Sequence, residues 1–523
     1  MFLNTLIFFI ITQISLYSII GYGTLLKSNS LKNIWLENFI SFTIGIIIIN
    51  LVGQFLYYLN LNSNYLNLLI LIIGLSFFSF KKNKDIIYKQ ILINILFFSG
   101  LLISKLHEDW PYHFSFIEQI SNHSPIIGIG NVDDIHILST SFFSYVQKIF
   151  FLPFFQFKLI FIPVYLIFLN LMMFLIQVIL ENKNKFSLLI LMILTIIAVK
   201  MSRISEFGYD YLSNLILLKI VVLFLINQNS LIKNYIFKNF YILFFLYAVT
   251  IKITALFFTP VLIYFLYTDF NKKKIILNER YSFLFLFLGC LFLIENFLKS
   301  GCFLYFVETT CFNKDLISWS IDYYRIIQHS EHVELWAKGF YIQDLVNNPS
   351  AYLNIENWLT VWTYNHFFYK VFEFIIIPIL FLTYILISEN FIIKNKRYIW
   401  FLFASTISLI IWLVLLPQLR FGSAILIVFF VSFNVIFLGQ NIAKKINNRN
   451  YMMAIIFLIL VFNFKNINRI SNEFLREDVH KFTYFPFPPE KRILPYTKST
   501  NTIKFLLHNG RATDKYRWFT LIN

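Results

Sequence analysis

A dense polar segment follows one of the long apolar stretches of the chain. Residues 105–115 read KLHEDWPYHFS, which places Glu108 and Asp109 between His107 and His113. Ionisable residues at a membrane boundary are costly and commonly mark a functional site or a compensating pair. A carboxylate beside apolar groups has a raised pKa and can accept a proton near neutral pH. The segment therefore indicates acid–base chemistry, with a helix cap at Asp109, ahead of Pro111, as the alternative.

Three further polar segments occupy the same side of the predicted topology. They are 202–210, 300–320 and 417–422, the last with Arg420 between two apolar runs. A guanidinium group binds phosphate through paired donors, so Arg420 suits a phosphate better than a lysine would. The alternative is a structural pair with a carboxylate or a lipid head group. Lys252 either joins this polar face or extends its ammonium group to the interface.

Composition indicates which elements must position these residues. The chain has 523 residues, of which 58% are hydrophobic and 20% aromatic, and its apolar residues come in long blocks. A helix needs about 20 apolar residues to cross a bilayer. Because helices satisfy their own backbone in lipid, we predict an all-α integral membrane protein, a polytopic bundle of about 12–14 transmembrane helices.

Charge sets the predicted orientation. Lysine and arginine exceed aspartate and glutamate, for a net charge of +17, and they cluster in short gaps between apolar runs. This is the positive-inside pattern of cytoplasmic loops, so we expect a lipid bilayer and not nucleic acid as the partner. A transmembrane domain, 1–465, then carries two outer loops, 106–155 and 299–370. The tail, 466–523, is predicted to be extracytoplasmic.

The sequence gives little indication of a metal site or of other catalytic motifs. His107 and His113 flank Asp109, but no third ligand at fixed spacing accompanies them, so we predict no dedicated metal site. The sequence contains no phosphate-binding glycine loop, CxxC, HExxH or nucleophile elbow. Cys302 and Cys311 share one polar loop and could pair if that loop faces an oxidising compartment. The aromatic residues of 358–369 fit an interfacial belt better than a sugar platform.

Five short elements occur in order between residues 100 and 425. They read Asp109-Trp-Pro-Tyr112-His113, Gly128-Ile-Gly130-Asn131, Ser205-Glu206-Phe-Gly-Tyr209-Asp210, Ser300-Gly-Cys302 with Thr310-Cys311-Phe312 and Trp319, and Pro417-Gln-Leu-Arg420-Phe-Gly422. Together they resemble the GT-C class of polytopic membrane glycosyltransferases, and more narrowly a bacterial branch of glycosyltransferase-like membrane proteins. Phe207 and Phe306 depart from the tyrosine and proline usual in that branch.

The resemblance implies a function in the bacterial cytoplasmic (inner) membrane. A sugar would pass from a polyprenyl-phosphate donor to a glycan, lipid or protein acceptor at the outer face, during cell-envelope assembly. Asp109 would be the general base, with Glu108 as its substitute. The phosphate or donor would contact Arg420, Lys252, His113 and Tyr112. The pocket or acceptor would contact Glu206, Asp210, Asn131 and Trp319. A divalent cation, Mg²⁺ or Mn²⁺, could bridge carboxylates and phosphate, although no residue requires it.

Other function classes also fit a polytopic chain. A transporter or flippase of an envelope precursor would explain many helices and some buried charges, but such proteins place key charges near mid-membrane and often show two related halves. A polysaccharide ligase would rely on arginines in its large loop, where this chain has Arg325. A structural subunit predicts that the outer acids are dispensable.

Overall fold

The chain is a helical bundle. A computed structural model describes residues 2–26, 33–78, 80–102, 110–131, 141–155, 157–181, 186–206, 209–229, 236–268, 279–305, 307–339, 352–388, 395–438, 447–474 and 519–520. Eight helices in these ranges are long and apolar enough to cross a membrane, and five shorter apolar helices accompany them. The predicted helical, membrane-compatible class is therefore confirmed at this level.

The first half of the chain supplies the centre of the bundle. Its helices are α1 (Phe2–Thr24), α2 (Ile34–Tyr58), α3 (Asn64–Phe77), α4 (Phe80–Phe97), α5 (Trp110–Asn122), α6 (Ser144–Ile149), α7 (Ile162–Glu181), α8 (Ser187–Lys200) and α9 (Asp210–Asn229).

The second half of the chain adds the remaining helices of the described residues. They are α10 (Ile236–Ile251), α11 (Thr259–Tyr267), α12 (Glu279–Ser300), α13 (Tyr323–Ala337), α14 (Ile355–Trp362), α15 (Phe372–Ser388), α16 (Ile399–Leu415), α17 (Leu419–Phe437) and α18 (Asn448–Phe474). A π-helical stretch, Thr363–Val371, makes α14 and α15 one continuous helix.

Burial separates central from peripheral helices. In α2, α7 and α9, 83%, 89% and 89% of the apolar window is buried inside the protein. In α12 and α18 the shares are 22% and 28%. A helix that is apolar on all sides is buried among others or faces lipid. The central helices therefore form the core, and the exposed apolar faces of the peripheral ones suit a bilayer.

Glycine allows the closest helix contacts. A Cβ at Gly23 of α1 would lie 1.7 Å from the carbonyl oxygen of Ser41, and one at Gly45 of α2 would lie 1.8 Å from that of Ile19. Small residues let helix backbones approach in this way. The α1–α2 pair is consequently one that larger side chains would separate.

Several predicted boundaries differ from the structure. Lys81, Lys82 and Lys84 lie in the first turns of α4, although the sequence analysis places the basic residues in short gaps between apolar runs. The second predicted loop, 299–370, ends early because a helix begins at Ile355. The last helix continues to Phe474, past the predicted end of the transmembrane domain at 465. The observed helix ends differ from the predicted ones because these helices carry polar residues in their end turns, where hydropathy alone predicts a loop.

The segment 301–322 between α12 and α13 contains a disulfide bond, and we call it the disulfide-closed loop. Gly301 turns the chain with φ of +74°, a conformation that favours glycine. Cys302 and Cys311 then form a disulfide bond. Elsewhere, the two-residue strands β1 (Ile126–Ile127) and β2 (Phe519–Thr520) pair in parallel.

Candidate functional site

Three charged side chains meet at one end of the bundle. Lys252 Nζ lies 2.9 Å from Asp210 Oδ1, and Arg420 Nε lies 3.2 Å from Asp210 Oδ2. We call these three residues the charged triad and their end of the bundle the triad end. All three were predicted site residues, and they come from separate parts of the sequence.

The ends of helices position the triad. Asp210 is the first residue of α9, and Arg420 lies in the first turn of α17. Lys252 lies where α10 stops and a 3₁₀ turn begins. Asn214 fastens α9 to α17: its amide donates to the carbonyl oxygen of Arg420 (2.7 Å), and its side-chain oxygen accepts from the backbone N–H of Ala424 (2.9 Å).

Aromatic rings cover the two cations. The Arg420 guanidinium carbon lies 4.3 Å from the ring centre of Trp336 and 5.3 Å from that of Phe421. The Lys252 ammonium lies 5.4 Å from the Phe421 ring. Rings at these distances attract cations, more strongly where water is partly excluded. They restrict where the guanidinium can point and leave it facing Asp210.

Helix α13 is held over the triad through α17. The Gln418 amide donates to the carbonyl oxygen of Trp336 (3.3 Å). The indole of Trp362 donates to the carbonyl oxygen of Pro417 (2.6 Å), and that of Trp412 to the carbonyl oxygen of Gln418 (2.9 Å). Trp362, which the sequence assigned to an interfacial belt, is therefore buried beside the site. Helices α13 and α14 therefore pack over the triad.

The triad has a net positive charge. Two cations face one carboxylate, and the side chains of Arg420 and Lys252 are 15% and 19% exposed against 4% for Asp210. The carboxylate is thus sealed inside, whereas each cation keeps part of its surface open. Such a site can bind an anion, because a fixed, partly desolvated pair of cations attracts negative charge more strongly than free surface cations do.

Tyr209 connects the predicted acidic segment to the triad. The His113 ring, in the first turn of α5, lies 4.2 Å from the ring of Tyr209, the residue before Asp210. The Tyr209 hydroxyl also bonds Ser144 (3.1 Å) and Gln147 in α6. Burial raises the pKa of Tyr209. The helix that directly follows Asp109 in sequence is therefore fixed beside the triad.

Four predicted site positions give no side-chain geometry. Asp109 and Glu108 lie outside the described residues. The side chains of Tyr112 and Asn131 also lie outside them, although the backbone of both is helical. Their assignments therefore stay predictions.

Glu206 is held in a separate cluster. Arg203 Nε donates to Glu206 Oε2 (2.6 Å), and Arg469 of α18 donates to Glu206 Oε1. Arg469 also donates to the carbonyl oxygen of Leu102 (2.7 Å). Glu206 is fully buried. Through these contacts Glu206 joins the 202–206 turn, the residues that follow α4, and α18.

Trp319 belongs to the disulfide-closed loop. Its indole donates to the carbonyl oxygen of Phe297 (3.3 Å), and its ring packs edge-on against the Phe297 ring. It therefore contacts α12. The aromatic residue that covers Arg420 is Trp336, which the sequence analysis did not select.

A second polar cluster was not found from the sequence. Glu295 of α12 accepts from Tyr145 (2.6 Å), from Tyr58 and from Gln54 (3.2 Å), and Lys299 Nζ lies 2.6 Å from its carboxylate. Glu295 and Lys299 are four residues apart in an apolar helix, the spacing of a helical ion pair, which was the available signal. Burial and the nearby carboxylate both raise the pKa of Tyr145.

Within the described ranges, no three His, Cys, Asp or Glu side chains come together in an arrangement that could hold a metal ion.

The comparison with known families covers most of the chain. Residues 5–427 match the family described as "Domain of unknown function (DUF8201)". The chain belongs to this family. The matched region contains the charged triad and the Glu295 cluster and ends inside α17, before Arg469. No curated protein and no solved structure matches the chain.

Proposed function

We propose that the protein is a membrane glycosyltransferase of GT-C type in the bacterial cytoplasmic membrane. It transfers a sugar from a polyprenyl-phosphate donor to a glycan, lipid or protein acceptor at the outer face. The observation that carries this proposal is the charged triad, where Arg420 and Lys252 converge on one buried carboxylate beside a cover of aromatic rings.

Orientation follows from the loop beyond α12. Disulfide bonds persist in oxidising compartments, and Cys302–Cys311 follows the end of α12 at the Glu295 cluster. Tyr145 of that cluster neighbours Ser144, which bonds Tyr209 beside the triad. We therefore assign the triad end to the outer face, together with the predicted tail 466–523. The basic gaps of the sequence then fall in the cytoplasm.

The residues divide the reaction between them. A polyprenyl-phosphate leaving group develops negative charge, and prearranged cations stabilise such charge most effectively. Arg420 and Lys252 supply these cations, and Asp210 holds both in place. Asp109, with Glu108 as its substitute, takes the proton of the acceptor hydroxyl as the bond from sugar to phosphate breaks. His113 positions the helix that follows Asp109 through its contact with Tyr209.

A transporter or flippase of a lipid-linked precursor is the second candidate. The observation that favours it is Lys219, a fully buried lysine near the middle of α9. Ionisable residues at this depth are typical of transport pathways.

The test is sugar transfer by membranes that contain matched amounts of each variant. Radiolabelled polyprenyl-phosphate sugars are the donors, and incorporation into endogenous acceptors is measured. We expect Arg420→Gln to reduce transfer by about a hundredfold, as loss of one transition-state donor does. Arg420→Lys should retain only part of the wild-type transfer, because lysine keeps the charge but not the paired donors.

The controls separate the two candidates. Arg280→Gln removes an exposed arginine from the other end of α12 and should leave transfer unchanged. Asp109→Asn should insert normally and abolish transfer. Equal transfer by wild type and both triad variants would remove Arg420 from the mechanism. Absence of transfer by wild type from every donor would favour the transporter.

A further inference from the structure

Polar side chains follow one side of the central helix α2. Thr43, Asn50 and Gln54 are seven and four residues apart, so they lie on the same side of the helix. Contacts show where this side faces. Thr43 accepts a hydrogen bond from Lys219 (3.0 Å), and Gln54 donates to Glu295 (3.2 Å). The polar side of α2 therefore faces the interior of the bundle.

Lys219 marks the deep end of this row. Its ammonium group donates to Thr43 (3.0 Å) and to Asn170 Oδ1 (2.7 Å) of α7. It also lies 5.0 Å and 4.8 Å from the ring centres of Phe39 and Phe42. These four partners are electrically neutral. A lysine held by neutral groups at this depth is costly to bury and is a functional-site candidate by default.

Asn50 lies between Thr43, which contacts Lys219, and Gln54, which contacts Glu295, along α2. It is fully buried, and neither its amide nitrogen nor its amide oxygen has a hydrogen-bond partner among the described residues. The side-chain oxygen of Gln54 also has no hydrogen-bond partner among the described residues. Leaving such a group unsatisfied is costly, and buried water is the usual partner where protein groups are absent. Water molecules inside the bundle would supply the hydrogen-bond partners that these two amides lack.

The row reaches a cavity at the triad end. Tyr57, Tyr58, Glu295 and Lys299 line a pocket of about 10 Å³. This volume is roughly that needed for one water molecule. From Gln54, beside this cavity, Asn50 lies about 6 Å deeper and Thr43 about 16 Å deeper, at a rise of roughly 1.5 Å per residue.

We propose that α2 and its neighbours enclose a hydrated polar track, which begins at the Glu295 cavity, passes Gln54 and Asn50, and ends at Lys219. Water and protons enter it from the triad end. A proton can leave the Lys219 ammonium for a water molecule, leaving a neutral amine, and can return by the reverse step. The track goes beyond the proposed sugar transfer and does not depend on it.

Cysteine accessibility tests the track directly. Single cysteines replace Asn50 and Thr43 in a Cys290→Ser background that keeps the Cys302–Cys311 disulfide. The purified variants are transferred into D₂O, and exchange of the introduced thiol hydrogen for deuterium is followed through the infrared S–H stretch. Water is the probe because the cavity has room for about one water molecule. The matched control is Ile49→Cys, at the depth of Asn50, equally buried but on another side of α2.

The expected result is thiol exchange in Asn50→Cys and Thr43→Cys at least about tenfold faster than in Ile49→Cys, since a thiol in a dry core meets water only through local opening. Equal exchange rates at all three positions would overturn the track. Fast exchange at Asn50→Cys with slow exchange at Thr43→Cys would overturn its continuation to Lys219. Gln54→Cys is the second variant if Asn50→Cys does not give a monodisperse protein.

Discussion

Arg420 Nε lies 3.2 Å from Asp210 Oδ2, and this contact joins the first turn of α17 to the first residue of α9. Asn214 reinforces the same junction through the carbonyl oxygen of Arg420. The position of the cation is thus set by two helix ends and not by a flexible loop. A site on rigid elements holds its geometry better than one on loops.

Removing the carboxylate should weaken the fold and strengthen anion binding. Asp210→Asn removes the carboxylate that Arg420 and Lys252 face, and we expect the free energy of unfolding to fall by about 2–4 kcal/mol. Inorganic phosphate should then raise the melting temperature of the variant more than that of wild type, because it supplies the missing charge. Thermal unfolding in detergent, with and without phosphate, measures both effects.

The control for this experiment is Asp315→Asn, in an exposed position of the disulfide-closed loop. It should change neither the melting temperature nor the response to phosphate. An equal phosphate response in wild type and Asp210→Asn would contradict an anion site at the triad.

Glu206 should matter for stability more than an exposed acid does. Glu206→Gln leaves Arg203 and the buried Arg469 without their carboxylate, and we expect a loss of about 3 kcal/mol in the free energy of unfolding. Glu356→Gln, in an exposed first turn of α14, is the control. Chemical unfolding of purified protein checks the difference. Equal stability of the two variants would show that α18 is not held through Glu206.

A methyl group at Gly422 should disturb the site. A Cβ there would lie 2.3 Å from Trp412 Nε1, the indole nitrogen that donates to Gln418. We expect Gly422→Ala to cost about 1–3 kcal/mol through overpacking and to lower sugar transfer. At Gly289 the nearest contact would be 3.6 Å, so Gly289→Ala is the matched control. Melting temperatures of both variants test this, and a tolerated Gly422→Ala would argue against a rigid α17 terminus.

Loss of the disulfide should loosen the loop beyond α12. Its cysteines are nine positions apart, and closing a loop of this size is worth roughly 2–3 kcal/mol. We expect Cys302→Ser with Cys311→Ser to speed proteolysis and hydrogen exchange in 301–322, while Cys290→Ser changes neither. Alkylation of Cys302 and Cys311 in native vesicles before reduction would contradict the outer assignment.

Lys148 should make stability depend on pH. Burial lowers the pKa of Lys148 to about 7, against about 10.4 in the unfolded chain. Between these values the unfolded state binds more protons, so stability rises with pH. We expect a gain of roughly 2 kcal/mol from pH 7 to pH 9. Lys148→Met should abolish the gain, and Lys89→Met, at an exposed position, should keep it.

Part of the site could be predicted because a charged residue inside or beside an apolar run is energetically costly. Asp210, Lys252 and Arg420 each interrupt or border an apolar run, where a charge is expensive and so stands out. Their common side followed from counting spans between basic gaps. Trp336 gave no such signal, because an aromatic residue in a polar loop is ordinary. Glu206 gave the same signal as Asp210, yet its partner Arg469 lies in the last helix, beyond the predicted end of the bundle.

The sequence by itself determined the helical, membrane-compatible class, because long apolar blocks leave a chain few other ways to satisfy its backbone in lipid. It also determined which end of most helices is polar. Tertiary structure alone decided which charges from distant parts of the sequence meet. Asp210 pairs with Lys252 and Arg420, and Glu206 pairs with Arg469. The physical reason is that hydropathy fixes depth along a helix, whereas the pairing of charges depends on which helices are neighbours, and that is set by side-chain packing.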